Sequence, residues 1–246
     1  MVVADCYVMF RRAVRHTVRS RDTLLISLTL PILIMLLFVY VFGGAIEVGI
    51  PYIDYVIPGI ILLCTGFGAS ITATTVATDM TSGAVDRFRT LPIFRQALLA
   101  GHVGEGVLRN LLAIGIVLVV AVILGFRPSA SLSAWIAAIA VIALFVQAIT
   151  WLAVALGLLA RNPEAAGGFT YALMFIPYIS SAFVPTATMP TWLRGFAEHQ
   201  PATPVIGTIR GLLTDAAPGN ATAAVLWCLA LTVTGYVCAA VLFERH

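Results

Sequence analysis

Apolar runs of roughly twenty residues alternate along this chain with short polar breaks, and the length of the runs sets the architecture. A helix needs about 20 apolar residues to cross a hydrocarbon core of roughly 30 Å, and runs of that kind occupy about 23–42, 57–78, 107–126, 135–160, 166–184 and 221–243. The pattern predicts an all-α integral membrane fold, with 1–246 as a single transmembrane domain of six helices. The first run is too long for a signal-peptide core and no cleavage context follows it, so it is expected to stay as a span. Ahead of it, 5–20 (DCYVMFRRAVRHTVRS) reads as an amphipathic helix. Tyr7, Phe10, Val14 and Val18 share one face and Arg12, Arg15 and Arg19 another, which suits a helix lying in the headgroup layer. A plain topology anchor is the alternative, because anionic lipid attracts each such arginine by roughly 1 kcal/mol in either case.

The breaks refine this outline. Pro31 is expected to kink the first span, and Gly43 and Gly44 to end it. The second span is expected to start at Pro58, a residue tolerated in a first helical turn. Within it, Gly66, Ala69, Ala73 and Ala77 are small at helical spacing, and Thr65, Ser70, Thr72, Thr74 and Thr75 carry hydroxyls. That combination predicts close helix contact with interhelical hydrogen bonds, or else a substrate-lining face. In the fifth span, Tyr171, Phe175 and Tyr178 around Pro177 either line a pathway or form an interfacial belt. Residues 185–220 are too long for a turn and too broken for a span. Two short amphipathic pieces, Thr191–Glu198 and Pro204–Leu213, divided by Pro201 and Pro204, predict re-entrant half-helices.

The most polar break is 79–101, DMTSGAVDRFRTLPIFRQALLAG. Val85, Phe88 and Leu91 form a partial apolar stripe on a short helix over 83–91. Pro92 pushes Leu91 out of the right-handed helical region and ends it. A second short turn on the same side runs from Arg161 to Glu164.

Charge orients the chain. It is 61% hydrophobic and 10% charged, and all 14 of its basic residues are arginine. With six crossings, eleven of the 14 arginines fall on the side of the 79–101 island and only Arg127, Arg194 and Arg210 on the other. By the positive-inside rule the island and both termini are then cytoplasmic, in a multi-pass protein of the cell inner (plasma) membrane. Without lysine the chain cannot carry a P-loop of the usual kind. Cys6, Cys64, Cys228 and Cys238 have no metal-ligand spacing and the four histidines are scattered, so no metal site is expected. No ionisable residue falls in the middle of any expected span, which argues against an ion-coupled pump and against an intramembrane hydrolase with catalytic residues. Selectivity-filter repeats and a clear inverted repeat are absent as well.

At DMTSGAVDRFRTLPIFRQALLAG, at PILIMLLFVYVFGG in the first span and at FVPTATMPTWLRGFAEHQPATPVIGTIRGLL, the chain resembles the membrane subunits of type-2 ABC exporters, in particular daunorubicin-resistance-type drug permeases. The three blocks cover nearly the whole chain in the right order. The resemblance implies that the loop after the second span holds a coupling helix docked on a separate cytoplasmic ATPase subunit. Gly83, Asp86, Arg87, Arg89, Leu91 and Pro92 match that pattern, with Phe88 on the same helix, and Glu164 matches the acidic residue of the second inner turn. In the outer segment Pro185, Pro190, Trp192, Pro201 and Arg210 match. Asp79, Met80, Thr81 and Ser82 depart from it, since many relatives are more strongly charged there. The expectation is a permease subunit that moves a lipophilic or amphiphilic drug, antibiotic or lipid outward. ATP and magnesium would bind the partner, with no cofactor in this chain. Its partners would be the ATPase, a second permease chain and membrane lipid, but no nucleic acid. The alternative is an ATP-independent flippase or assembly subunit.

Overall fold

A computed structural model describes residues 2–19, 21–82, 97–214 and 216–245, without the side chains of 2–6, 16–19, 21–24, 26 and 27. In chain order these residues form α1 (Val2–Arg19), α2 (Arg21–Leu36) running into a π-helical turn (Leu37–Phe42), α3 (Tyr52–Thr81), α4 (Ala97–Ile123), α5 (Leu132–Leu159) and α6 (Pro163–Phe175). A 3-10 turn (Ile176–Ile179) and a second one (Thr186–Thr188) lead to α7 (Thr191–His199), α8 (Ala202–Leu213) and α9 (Ala221–Arg245). No strand occurs among the described residues.

α3 is the axis of the bundle. It is apolar on all sides, the signature of a helix surrounded by protein or lipid, and Val56, Ile57, Ile60, Leu63, Ala69, Ala73 and Ala77 are all fully buried. α2, α4, α5, α6 and α8 pack around it, while α9 lies mainly against α5. The outer face of α9 is different, with Leu226, Leu229, Val233 and Val237 exposed. Lipid tails are as apolar as these side chains, so helix association must come from close packing instead. Glycines provide that closeness. A Cβ on Gly157 would lie 2.5 Å from the Ala73 carbonyl oxygen, and one on Gly235 would lie 2.8 Å from the Leu152 nitrogen.

Four helices, α3, α4, α5 and α9, are each long and apolar enough to cross a membrane. The other two expected spans are composite. Pro31 is accommodated inside α2, and the first expected span changes from α-helix to π-helix at Leu37. The fifth is a 13-residue α-helix that tightens into a 3-10 turn containing Pro177. Helix starts also differ from the hydropathy pattern. α3 begins at Tyr52 with Pro51 as its cap, leaving Pro58 inside the helix. α4 already runs from Ala97, so Ala97, Leu98 and Leu99 belong to the packed core and not to a polar island. Pro201 caps α8, but Pro204 falls in its first turn, where a missing N–H costs no intrahelical bond.

α1 lies against α4. Met9 is buried, and the Phe10 ring covers Gly104, whose added Cβ would meet Phe10 Cδ2 at 3.0 Å. Tyr7, expected on the same stripe as Phe10, is 62% exposed. The docked face is therefore rotated towards Met9, because glycines at 101 and 104 open a groove in α4 that fits it. Overpacking a tight seam costs typically 1–3 kcal/mol. Accordingly, Gly235→Leu should lower the thermal unfolding midpoint of the purified protein, followed by circular dichroism in detergent. Gly115→Ala, where nothing lies within 4 Å, should leave the midpoint unchanged or raise it.

Candidate functional site

Gly83, Asp86, Arg87, Phe88, Arg89, Leu91 and Pro92 lie outside the described residues. The helix ends on either side of them are described. α3 runs to Thr81 and closes with the Ser82 amide donating to the Thr78 carbonyl at 2.9 Å. The described part of α4 runs from Ala97. Just inside these ends the two helices share a set of polar contacts, half-buried at Asp79 and buried at His102, Glu105 and Arg109.

Asp79, in the last turn of α3, stands 3.5 Å from Arg12 Nη2 of α1 and 3.3 Å from His102 Nε2 of α4. One turn further along α4, Glu105 Oε1 is 3.2 Å from Arg109 Nε. That contact places two charges side by side without an aligned hydrogen bond, since Arg109 Nε has no hydrogen-bond partner. The aligned bonds come from Arg109 Nη2, which donates to the Gly68 carbonyl at 3.1 Å and to Thr72 Oγ1 at 2.8 Å, both on α3. Thr72 can accept because its own proton goes to the Gly68 carbonyl. Arg109 Nη1 and both amide atoms of Asn110 are buried without a protein partner.

Two glycines make the approach possible. A Cβ on Gly68 would fall 1.9 Å from Asn110 Oδ1, and one on Gly106 would fall 2.8 Å from Thr72 Oγ1. Arg109 is 5% exposed and stands at the middle of the 27-residue α4. Arg109, expected near the edge of a span, is thus at the middle of a helix long enough to cross a membrane. The expected span starts at 107, whereas the described helix already runs from Ala97. The hydroxyls of α3 also behave differently from expectation. Thr65, Thr74 and Thr75 donate to carbonyls four residues back in their own helix, so among the five only Thr72 is seen to bridge helices. The signal for the cluster was present in the sequence: His102, Glu105 and Arg109 stand at i, i+3 and i+7 on one helical face.

The opposite end of α3 carries a second buried guanidinium. Arg210, in the last turn of α8, donates from Nε and Nη2 to the Tyr55 carbonyl at 3.1 and 2.9 Å, and from Nη2 to the Ser181 carbonyl at 2.7 Å. Its Cζ sits 3.7 Å from the centre of the Tyr55 ring. Beside it Tyr52 Oη donates to the Phe183 carbonyl at 3.0 Å, and Phe183 stacks on Phe38 at 4.1 Å. One side chain thereby ties α8, the start of α3 and the chain after α6 together. Of the other expected outer residues, Pro185, Pro190 and Pro201 each precede a helical turn as its cap, and Trp192 is 79% exposed.

The remaining expected positions are simpler. Glu164 is exposed in the first turn of α6, where a carboxylate complements the helix dipole. Asn162 caps that turn, its Oδ1 accepting from the Ala165 amide at 2.7 Å. Arg12 joins the Asp79 cluster, Arg15 is exposed, and the Arg19 side chain lies outside the described residues.

Bilayer-length apolar helices around an axial helix, with guanidiniums buried only where carbonyls and carboxylates receive them, define a polytopic helical membrane protein. Residues 4–214 match the family model for the ABC-2 type transporter, and the chain belongs to that family. It is 31% identical over 174 residues to "Daunorubicin resistance ABC transporter permease protein DrrB1" of Streptomyces coeruleorubidus, a match covering 70% of this chain and 62% of the relative. The matched part thus spans less than two thirds of that relative's length. Over 218 residues it is 26% identical to "Probable doxorubicin resistance ABC transporter permease protein DrrC" of Mycobacterium tuberculosis, covering 86% of this chain and 77% of the relative.

Removing one partner of a buried ion pair typically costs 3–5 kcal/mol. Arg109→Met should therefore destabilise the protein by about 3 kcal/mol or more, measured by denaturant unfolding in mixed micelles. At the other end a lysine cannot fork between two carbonyls and stack on a ring. Arg210→Lys should consequently make the 180–220 region as sensitive to limited proteolysis as Arg210→Ala does.

Proposed function

We propose that this chain is the membrane-spanning permease subunit of an ATP-driven exporter, moving a lipophilic or amphiphilic substrate outward with ATP hydrolysed by a separate nucleotide-binding chain. The observation that carries the reading is the run of polar contacts from Asp79 and His102, beside segment 83–96, to Arg109 at the middle of α4. It joins the two helices on either side of segment 83–96 and ties them to α1 through Arg12. A force delivered to that segment would reach the bundle through stiff, paired groups. The family assignment and the lack of any lysine, hence of a P-loop of the usual kind, support an energy source on another chain.

In this reading six crossings, two of them the composite α2 and α6, place the arginine-rich side inward. Gly83, Asp86, Arg87, Phe88, Arg89, Leu91 and Pro92 form the contact with the ATPase, and Glu164 on the first turn of α6 forms a second one. Arg12, Arg15 and Arg19 hold α1 against the inner headgroups, and α7 and α8 dip into the outer leaflet. ATP and magnesium bind on the partner. A second permease chain, a copy or a close homologue, completes the pathway, and nucleotide-driven closure of the ATPases tilts the bundles as rigid bodies.

The relatives' names mention daunorubicin and doxorubicin resistance, which supports an amphiphilic drug or antibiotic as cargo. In a complex reconstituted with its ATPase, Arg87→Ala or Pro92→Ala should cut substrate-stimulated ATP hydrolysis by about tenfold, ~1.4 kcal/mol of lost coupling, with insertion unchanged. Full stimulation in both variants would overturn the assignment of the coupling segment.

A further inference from the structure

Between α7, α8 and the start of α9 lies a cavity of about 440 Å³, inside the size range of small-molecule sites. Its wall combines Glu198 and His199 at the end of α7 with Asn220 and Trp227 of the α9 start, over a floor that includes Gly207 and Gly219. The floor is tight, for a Cβ on Gly219 would fall 2.3 Å from the Gly207 carbonyl carbon. α8 and the chain leading into α9 are thus held against each other at this place.

The wall is rich in acceptors. Arg194 Nε donates to Glu198 at 2.7 Å and Thr186 Oγ1 at 3.4 Å, both on Oε1, which leaves Oε2 without a partner among the described residues. The hydrogen bond from Arg194 holds the Glu198 carboxyl below the usual carboxylate range, so it is charged at neutral pH. Arg194 itself does not line the cavity. His199 Nδ1 lies 2.9 Å from the Gly195 carbonyl, and donating there leaves Nε2 as an acceptor. The α9 start does not recruit an anion, because Asn220 Oδ1 already takes the Ala223 amide at 2.9 Å. Trp227 adds an indole that is 40% exposed, the ring best suited to a cation.

We propose that this cavity binds the ammonium group of an organic amphiphile, held between the Glu198 carboxylate and the Trp227 ring with the apolar part along Pro204 and Ala223. Such an ammonium comes either from the ethanolamine headgroup of a membrane phospholipid or from a free amphiphilic amine. Binding needs neither nucleotide nor an ATPase partner, so it stands apart from the exporter reading.

The test titrates the full chain, in uncharged maltoside micelles, with phenethylammonium and with the neutral 2-phenylethanol, by calorimetry. Saturable binding of the ammonium is expected, with none of the alcohol, and about tenfold weaker binding in both Glu198→Gln and Trp227→Leu. The two variants lie on different helices, so a loss of the Arg194 pairing in the first cannot account for the second. Equal affinity in wild type and both variants, or equal binding of the alcohol, overturns the proposal. Native mass spectrometry with phosphatidylethanolamine and phosphatidylglycerol separates the sources. Retention of the ethanolamine lipid by wild type but not by Glu198→Gln assigns the headgroup, whereas no lipid preference with phenethylammonium binding intact assigns the free amine.

Discussion

A guanidinium taken into an apolar bundle must find its acceptors there, because neither lipid nor packed side chains replace the water it leaves. That constraint shapes α3 at its middle and at its start. Near its middle, Arg109 reaches the Gly68 carbonyl and Thr72 only because residues 68 and 106 have no side chains. At its N-terminus, Arg210 takes two backbone carbonyls and the Tyr55 ring. Between these points α3 is almost purely apolar and supplies volume without direction. The charged points fix which helices stand beside it and in what register.

The two points differ in what they hold. Around Arg109 every group is a side chain or the carbonyl of a regular helix, and the cluster binds whole helices to one another, as stiff elements suited to rigid-body motion. Around Arg210 the acceptors belong to the start of one helix and to the irregular chain after α6, so the guanidinium adds a polar tie to α8, whose Val205, Ile206, Ile209 and Leu213 are already packed in the core. α7, beside it, is far less packed than α8. Apart from Ala197 its side chains are largely exposed, and its Glu198 pairs with Arg194 in the same helix. A joint between two long helices and a tie between a short helix and irregular chain are different uses of one residue type.

Much of this was legible in the sequence, for reasons that vary by element. α1, α7 and α8 announce themselves by amphipathic spacing, and α9 by an uninterrupted apolar run. The start of α4 was concealed because His102, Glu105 and Arg109 lower the hydropathy of a stretch that is in fact buried helix. Their i, i+3, i+7 spacing marks a polar face, but nothing local reveals that α3 offers Gly68 and Thr72 opposite it. Pro58 misleads in a similar way, since proline tolerance at a helix start suggests a boundary that Pro51 provides instead. The threonines of α3 read as interhelical donors, yet most satisfy the carbonyl four residues back, the cheapest partner for a hydroxyl in a helix.

The central claim is that work enters this bundle from another chain. The most direct measurement is uptake of a fluorescent amphiphilic drug into inverted proteoliposomes holding the chain with a P-loop ATPase that co-purifies with it, compared with the chain alone. The account predicts accumulation against a gradient only when chain, ATPase and hydrolysable ATP are all present. Equal movement of the drug by the chain alone, indifferent to nucleotide, would contradict it.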